Sequence, residues 1–417
     1  MKVCFETIIV ERNSLWHYTS VTSFYYADTM RQQVTALSIL ALTQILGWGV
    51  VSVLPVIAQA VAEELETSLP TAFLGSSVMF VAMAIVAPLA GRGFRRFGTQ
   101  RVMSIGAGVV GLGLGAVALS PDLPFYWAAW ALTGLGAAMF LTTSAYAYLA
   151  EYAGHRARGF IGTLMLATGL AGSVFLPLTA FLDHLVGWRD TLAIYAVLMI
   201  CFVGPGIWFG LPATEGAPTA TGIQGERRMG RVFFFLVAAI TLNSFVTFGV
   251  EAVGIELMRA MGMTMGGAVA VASLLGAFKV GGRCIDLLGG KKWDGLSTAL
   301  VCGAMIPFGL GVIWIGGAGI VSVTGYLVLF GIGSGAFAVA RATMPLVFYD
   351  TSNYAAAMAT IALPMNLINA LAAPVLAMLL GYIGPEAVFA VLGVLGLTAF
   401  LLLLQLNRMR PRRAVIS

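Results

Sequence analysis

The chain alternates long apolar runs with short polar segments. Twelve runs cover residues 34–62, 70–91, 102–119, 125–148, 159–182, 191–211, 232–253, 264–282, 295–317, 320–347, 355–383 and 387–406. The runs are continuous rather than alternating, which favours helices over the strands of a membrane barrel. A hydrocarbon layer about 30 Å thick needs roughly 20 apolar residues per helix. The pattern therefore predicts an all-α integral membrane protein with twelve transmembrane helices.

The polar segments predict five regions. They are a tail at 1–33, a six-helix bundle at 34–211, a linker at 212–231, a second six-helix bundle at 232–407 and a tail at 408–417. The linker, PATEGAPTATGIQGERRMGR, is rich in Pro, Gly and charge, as flexible connections are. Composition agrees with a membrane protein, because 59% of the residues are hydrophobic and only 10% are charged.

The basic residues predict the orientation. If the N-terminus is cytoplasmic, nineteen of the 23 lysines and arginines lie on the cytoplasmic side, and only Arg189 and Arg259 lie in outer loops. This positive-inside bias places both termini in the cytoplasm and the chain in the cytoplasmic membrane. It also accounts for the net charge of +5 without a nucleic-acid partner.

Repeated motifs predict two related halves. GRGFRRFG, which begins at Gly91, resembles GRCIDLLG, which begins 191 residues later at Gly282. Four further matches lie at an offset of 197, and two of them are Pro177 with Pro374 and Gly187 with Gly384. Self-similarity over half the chain predicts two pseudo-symmetric bundles of six helices.

With these features, the sequence resembles the major facilitator superfamily. The resemblance rests on the twelve spans, the central linker, the Gly-Arg loop after spans two and eight, and GWRD at 187–190. It implies a secondary transporter that works by alternating access. It also implies gating roles for the loop residues, namely Gly91, Arg92, Arg95, Gly98, Asp286 and Gly289.

Two segments resemble the bacterial relatives of monocarboxylate porters more narrowly. They are TQILGWGVVSVLPVIAQAV in span one and GAFKVGGRCID at the end of span eight. The resemblance implies that Arg283 meets a substrate carboxylate, with an alternative role in the gate. Those relatives carry an aspartate where this chain has Lys279, which removes their usual proton carrier at that position.

Ionisable groups within the spans are the main candidates for chemistry, because each is costly in lipid unless a cavity or a partner receives it. Arg341 in span ten is a candidate anion site or a snorkelling arginine, and its repeat partner is Ser144. Lys279 and Arg283 are four residues apart and share a helix face. Glu251 in span seven is a candidate proton carrier, and the alternative is a solvated residue at the helix mouth.

Polar and aromatic side chains within the spans complete the predicted substrate site. They are Gln44, Trp48, Tyr146, Asn243, Asn366 and Asn369. Each has the alternative role of an interhelical hydrogen-bond partner.

One departure from the family pattern predicts a gate contact. Arg95 stands where the family loop usually carries an acid, and Asp350 lies directly before span eleven. We expect Arg95 to pair with Asp350 when the cytoplasmic side is closed, and Asp286 to face the start of span five.

The expected function is transport of a small organic anion, such as a monocarboxylate, coupled to protons and carried out by a monomer in the bilayer. An exporter of amphipathic drugs or metalloids is the alternative, although Trp130 stands where such exporters usually carry an arginine. A non-transporting sensor is a second alternative. The histidines lie apart and no nucleophile motif is present, so we expect no enzyme, no cofactor and no metal site.

Overall fold

The computed structural model describes residues 32–153, 157–213, 230–288, 294–348 and 351–410. Within these ranges the chain consists of helices joined by short turns, and it contains no strand. The prediction of an all-α protein is confirmed.

Six helices, α1–α6, form the N-terminal half. Helix α1 consists of 32–51 and Leu54–Glu64, and α2 and α3 are the continuous helices Leu69–Phe97 and Thr99–Ala118. Helix α4 consists of Leu123–Phe140 and Thr142–Ala153. Helix α5 consists of Ala157–Thr168 and the part of Ala171–Leu198 before Gly187, and α6 consists of the part after Gly187 followed by Met199–Val203 and Gly204–Gly210.

Six more helices, α7–α12, form the C-terminal half. Helices α7, α8 and α9 are the continuous helices Arg231–Ala260, Met265–Leu288 and Gly295–Gly316. Helix α10 consists of four consecutive segments, Ile320–Tyr326, Leu327–Gly331, Ile332–Thr343 and Met344–Val347. Helices α11 and α12 are the two parts of Thr351–Arg408, before and after Gly384. Met199–Val203 in α6 and Leu327–Gly331 in α10 are π-helical.

The described residues contain ten apolar stretches long enough to cross a membrane. Two of them, Phe160–Gly210 and Pro364–Arg408, have 51 and 45 residues. At a rise of about 1.5 Å per residue each is far longer than one bilayer crossing, so each contains two spans. The number of crossings is therefore twelve, as the sequence predicts.

The boundary between the two spans is a glycine in both long stretches. Gly187 has φ 83° and ψ 167°, and Gly384 has φ 77° and ψ 171°. A residue with a side chain rarely adopts this conformation. The two glycines are 197 residues apart in sequence, and their matching backbone geometry confirms the predicted repeat.

The GWRD motif ties three helices of the N-terminal half together at one membrane face. Trp188 Nε1 donates to Glu64 Oε2 and Arg189 Nε donates to Glu64 Oε1, both at 2.6 Å. Arg189 also donates to the backbone carbonyls of Ala118 and Ser120. The ends of α1 and α3 are thus joined to the start of α6.

The opposite face, where α1 begins and α12 ends, will be called the terminal face. There Asp294 caps α9 by accepting from the backbone N–H of Ser297 at 3.0 Å, and it pairs with Arg410 after α12. Partial burial alone would raise the pKa of the Asp294 carboxyl, but the hydrogen bonds from Ser297 and Arg410 outweigh it and hold this pKa below its ordinary value.

Two contacts between the halves follow the repeat. Ser77 of α2 donates to the carbonyl of Ala370 in α11. Ser173 of α5 donates to the carbonyl of Ser273 in α8 at 2.8 Å. Ser77 and Ser273 are 196 residues apart, and Ser173 and Ala370 are 197 apart, so the two contacts occupy equivalent places. The halves therefore meet along α2–α11 and α5–α8.

The segment at 91–101, which the sequence predicts to be a hinge loop, is mostly helical. Helix α2 continues to Phe97 and α3 begins at Thr99, so Gly98 alone forms the turn. Its φ of 84° favours glycine, and its N–H donates to the carbonyl of Phe94. The expectation of a longer loop is wrong, because no residue before Gly98 interrupts the helix.

The predicted domain boundaries lie close to observed helix ends. Helix α6 ends at Gly210 and α7 begins at Arg231. Helix α1 begins by residue 32, and α12 ends at Arg408. Most of the predicted linker and tails lies outside the described residues, so the division into domains stays a prediction.

The two boundary glycines should be intolerant of any side chain. No atom lies within 4 Å of a Cβ built at Gly384, so Gly384→Ala tests the backbone conformation alone. We expect a loss of about 1–2 kcal/mol, measured as thermal unfolding in detergent. Gly381→Ala is the matched control, because Gly381 has equal space but lacks a positive φ. Equal melting temperatures for the two variants would contradict the assignment.

Candidate substrate cavity

A central cavity of about 540 Å³ lies between the two halves. Residues from eight helices line it, namely α1, α2, α4 and α5 of the first half and α7, α8, α10 and α11 of the second. None of the described residues of α3, α6, α9 or α12 lines it. The cavity is thus shared almost equally by the two repeats.

Three of the lining helices are broken where they border the cavity, and one of them is α5, which is interrupted between Thr168 and Ala171. Helix α1 stops at residue 51 and resumes at Leu54, followed by Pro55. Helix α4 stops at Phe140, and Leu141 is extended. Interrupted backbone at membrane depth is tolerated where it lines a cavity or is buried in protein. All three breaks therefore lie where this constraint permits them.

Gln44 and Trp48 of α1 stabilise the break in α4. Gln44 Nε2 donates to the carbonyl of Phe140, and Trp48 Nε1 donates to Thr142 Oγ1, both at 2.8 Å. Trp48 lines the cavity as predicted, whereas Gln44 is fully buried and does not line it. The structure thus gives Gln44 the alternative role, that of an interhelical hydrogen-bond partner.

Glu251 and Lys279 form an ion pair on the cavity wall. The pair joins α7 to α8. The side chain of Glu251 is 44% exposed and that of Lys279 is 14% exposed, so the carboxylate is open to the cavity while the lysine is more enclosed. Helix α10 packs through Gly335 directly against the backbone of Lys279, which fixes the position of the lysine.

Arg283 spans the boundary between the halves. It belongs to α8, lines the cavity and donates through Nη1 to the carbonyl of Met165 in α5. Gly169 permits this approach, since a Cβ built there would lie 2.6 Å from Nη1 of Arg283. The Nε of Arg283 is buried without a hydrogen-bond partner among the described residues.

Arg341 of α10 lines the same cavity. Its Nη1 donates to Ser244 Oγ of α7 at 3.3 Å. Across the part of the chain that the structure describes, neither Arg341 nor Arg283 forms an ion pair with a carboxylate. Three cations and one carboxylate therefore face the cavity, which leaves an excess of two positive charges.

The other predicted polar residues divide into two groups. Tyr146, Asn366 and Asn369 line the cavity, and Asn369 Oδ1 is buried without a hydrogen-bond partner in the described structure. Asn243 is buried and does not line it, and the described residues offer its side-chain amide no partner. Buried polar atoms are normally paired with protein or water, so Asn369 leaves an acceptor available at the wall.

The predicted gating residues are only partly described. Gly91 and Arg92 lie in the last turns of α2, and Gly98 forms the turn to α3. Gly289 and Asp350 lie outside the described residues, as do the side chains of Arg95 and Asp286. The Arg95–Asp350 contact thus stays a prediction.

Sequence reasoning missed two features of the site. It did not identify Ser244 as the acceptor for Arg341, since a serine in an apolar span has no distinctive signal. It also did not pair Glu251 with Lys279. A signal was present for that pair, because opposite charges in two consecutive spans indicate mutual neutralisation.

Twelve membrane-crossing helices in two repeated halves around a central cavity define the architecture of a secondary transporter. A model of the Major Facilitator Superfamily matches residues 37–335, well over half of the chain. The chain belongs to this superfamily and is a multi-pass membrane transporter of small molecules. The more specific likeness to monocarboxylate porters is not part of this match.

Solved structures of other proteins have a similar fold. A bacterial homolog of the human lysosomal transporter Spinster, in an inward-facing and occupied conformation, matches 92% of this chain and 99% of its own, with 15% identity and a TM-score of 0.70. The human organic anion transporter MFSD10 (TETRAN) matches 88% of this chain and 99% of its own, with 16% identity and a TM-score of 0.66. Identities this low indicate a shared fold alone. No curated protein matches the sequence.

The Glu251–Lys279 pair should appear as an energetic coupling. We expect Glu251→Gln and Lys279→Gln to show a coupling of about 0.5–1 kcal/mol in a double-mutant cycle of thermal unfolding, because the pair is partly exposed. Glu256→Gln combined with Lys279→Gln is the control, since Glu256 pairs with Arg259 instead. Additive effects of the first pair of substitutions would contradict the contact.

Proposed function

We propose that this protein is a proton-coupled transporter of organic anions. The observation that carries the proposal is the excess of two positive charges on the cavity wall. We further propose that it acts as a monomer. The distribution of basic residues supports its placement in the cytoplasmic membrane with both termini in the cytoplasm.

The physical argument concerns the cost of the unpaired cations. An arginine within a membrane-spanning helix is expensive and persists where it faces a partner or a water-filled space. Arg341 has the neutral Ser244 as its acceptor, and Arg283 has a backbone carbonyl. A substrate carboxylate would supply the missing negative charge, and each charge-assisted hydrogen bond would contribute about 1.5–3 kcal/mol.

Proton coupling follows from competition for Lys279. In the structure, the lysine is occupied by Glu251. A substrate carboxylate that binds Lys279 would displace Glu251 and lie next to it. Two carboxylates that share a site favour the uptake of one proton, so Glu251 would bind a proton as the anion binds. Release of the anion would let Glu251 lose the proton and return to Lys279.

Anion binding would also affect the contact between the halves. Arg283 of the C-terminal half donates to the carbonyl of Met165 in the N-terminal half. A substrate that attracts this guanidinium would weaken that hydrogen bond, and a ligand shifts a conformational equilibrium by its differential affinity for the two states. Arg283 is thus proposed both as a ligand and as a link to the gate.

The resemblance to monocarboxylate porters gains some support from this arrangement. Lys279 stands where those porters carry an aspartate, and Glu251 of α7 provides a carboxylate in the cavity from a different helix. MFSD10 (TETRAN) is an organic anion transporter, which is consistent with the substrate class proposed for this protein. The similarity between the two proteins is one of fold.

Export of amphipathic compounds remains the second candidate, and aromatic lining residues such as Trp48, Phe80 and Phe337 favour it. Trp130 stands where drug exporters usually carry an arginine. This tryptophan is fully buried and does not line the cavity.

Arg341→Gln should remove the proposed anion site. We expect uptake of radiolabelled carboxylates into proteoliposomes to show an apparent affinity lower by at least about tenfold, because a charge-assisted hydrogen bond is lost. Arg408→Gln is the matched control, since Arg408 is exposed at the end of α12. Unchanged thermal unfolding should accompany the loss. Normal uptake kinetics in Arg341→Gln would eliminate the site.

Glu251→Gln should separate exchange from accumulation. The neutral side chain cannot release a proton, so anion exchange between the two sides should persist while accumulation driven by a pH gradient should disappear. The measurement is counterflow and gradient-driven uptake in the same proteoliposomes. If an inward proton gradient accelerates uptake in this variant as in the wild type, Glu251 is not the proton carrier.

A further inference from the structure

We infer that the transported anion carries an apolar body of about the size of an aromatic ring, which lies against the wall opposite the cations. This inference rests on the proposed anion site and narrows its substrate class. It differs from the expectation of a small monocarboxylate, because it assigns part of the binding energy to the apolar wall.

The cavity wall is divided by charge along the boundary between the halves. Its four charged residues, Glu251, Lys279, Arg283 and Arg341, all belong to the C-terminal half. The described lining residues of α1, α2, α4 and α5 are all uncharged. A ligand that contacts both walls must therefore present a charge on one side and an uncharged surface on the other.

The wall of the N-terminal half is mostly apolar. Phe80, Met83, Ala84 and Ala87 of α2 follow one another along it. The indole N–H of Trp48 already donates to Thr142, so this residue offers ring carbons to a ligand. Burial of apolar ligand surface here is favourable in proportion to its area.

Aromatic rings also join the two walls. Phe80 of α2 and Phe248 of α7 both line the cavity and meet edge to face, with ring centroids 5.0 Å apart. Aromatic side chains prefer offset or edge-to-face neighbours. This pair creates a surface on which a further ring packs well, and Phe248 lies on the same helix as Glu251.

The volume of the cavity exceeds what a small acid requires. It falls within the range of pockets that enclose drug-sized ligands, about 300–1,000 Å³. An acid with only a few carbon atoms would leave most of the apolar wall in contact with water.

A polyhydroxylated acid suits the wall less well, because several hydroxyl donors are already engaged. Thr168 donates to the carbonyl of Met165 at 3.2 Å, Thr247 to that of Asn243 at 2.9 Å, and Ser334 to that of Gly331 at 3.1 Å. Each of these three residues lines the cavity, but its hydroxyl donates within its own helix. An apolar body needs no hydrogen bond from these hydroxyls.

The test compares three probes that separate the charged group from the body. They are 4-phenylbutyrate, butyrate and 4-phenylbutanol, and their binding to the purified protein in nanodiscs is measured by tryptophan fluorescence. We expect 4-phenylbutyrate to bind at least about tenfold more tightly than either of the others, because it alone engages both walls.

Two cavity variants and one control assign the effect to the wall. Met83→Ser makes the wall more polar, and Ala84→Leu fills part of its space. Both should weaken the binding of 4-phenylbutyrate at least about fivefold and leave butyrate unchanged. Ile85→Ser is the matched control on the same helix, because Ile85 is 68% exposed on the outside of the bundle. Thermal unfolding verifies that each variant is folded.

The outcomes distinguish the inference from the proposed function. If butyrate binds as tightly as 4-phenylbutyrate, or if neither cavity variant affects the difference, the apolar subsite is wrong while the anion site stands. If neither acid binds, or if 4-phenylbutanol binds as tightly as 4-phenylbutyrate, the cations do not bind an anion and the proposed function fails together with the inference.

Discussion

The hydrocarbon core of a bilayer offers no hydrogen-bond partner to a polypeptide backbone, and the rest of this structure depends on that constraint. In a chain of continuous apolar runs it requires helices, and it permits breaks only where protein or water can satisfy the freed groups. The breaks before Leu54 and at Leu141 both border the central cavity. At the second break, Gln44 supplies the donor that the carbonyl of Phe140 would otherwise lack.

The same constraint determines where charge is tolerated. Lys279 is neutralised by Glu251, whereas Arg283 and Arg341 have uncharged acceptors. Because all of these residues face one cavity, the cost of keeping the guanidinium groups dehydrated falls when water or an anion enters. A dry cavity is therefore an unfavourable condition for this charge arrangement.

Most of the fold could be predicted from the sequence, since continuous apolar runs and a repeat at an offset of 197 residues are strong signals. The site could be predicted only in part. Arg341, Lys279 and Glu251 are conspicuous because charge within a span is rare. Gln44 and Asn243 were not separable from ligands by sequence, because an amide that faces a neighbouring helix and an amide that faces a cavity have the same pattern. The helical form of residues 91–97 was also missed, because glycine and arginine suggest a loop while their neighbours continue the helix.

The two halves share their backbone but differ in charge at span ten. Gly187 and Gly384 adopt the same conformation, and Ser77 and Ser173 make equivalent contacts between the halves. Yet Ser144, the repeat partner of Arg341, is fully buried, bonds to the carbonyl of Ala138 and does not line the cavity. The helix packing that the repeats have in common thus does not require a cation at this position. The cation of Arg341 is consequently particular to the C-terminal half, whereas Arg283 corresponds to Arg92 in the repeated Gly-Arg motif. A shared scaffold can thus carry a different charge at one wall of its cavity without any change in helix packing.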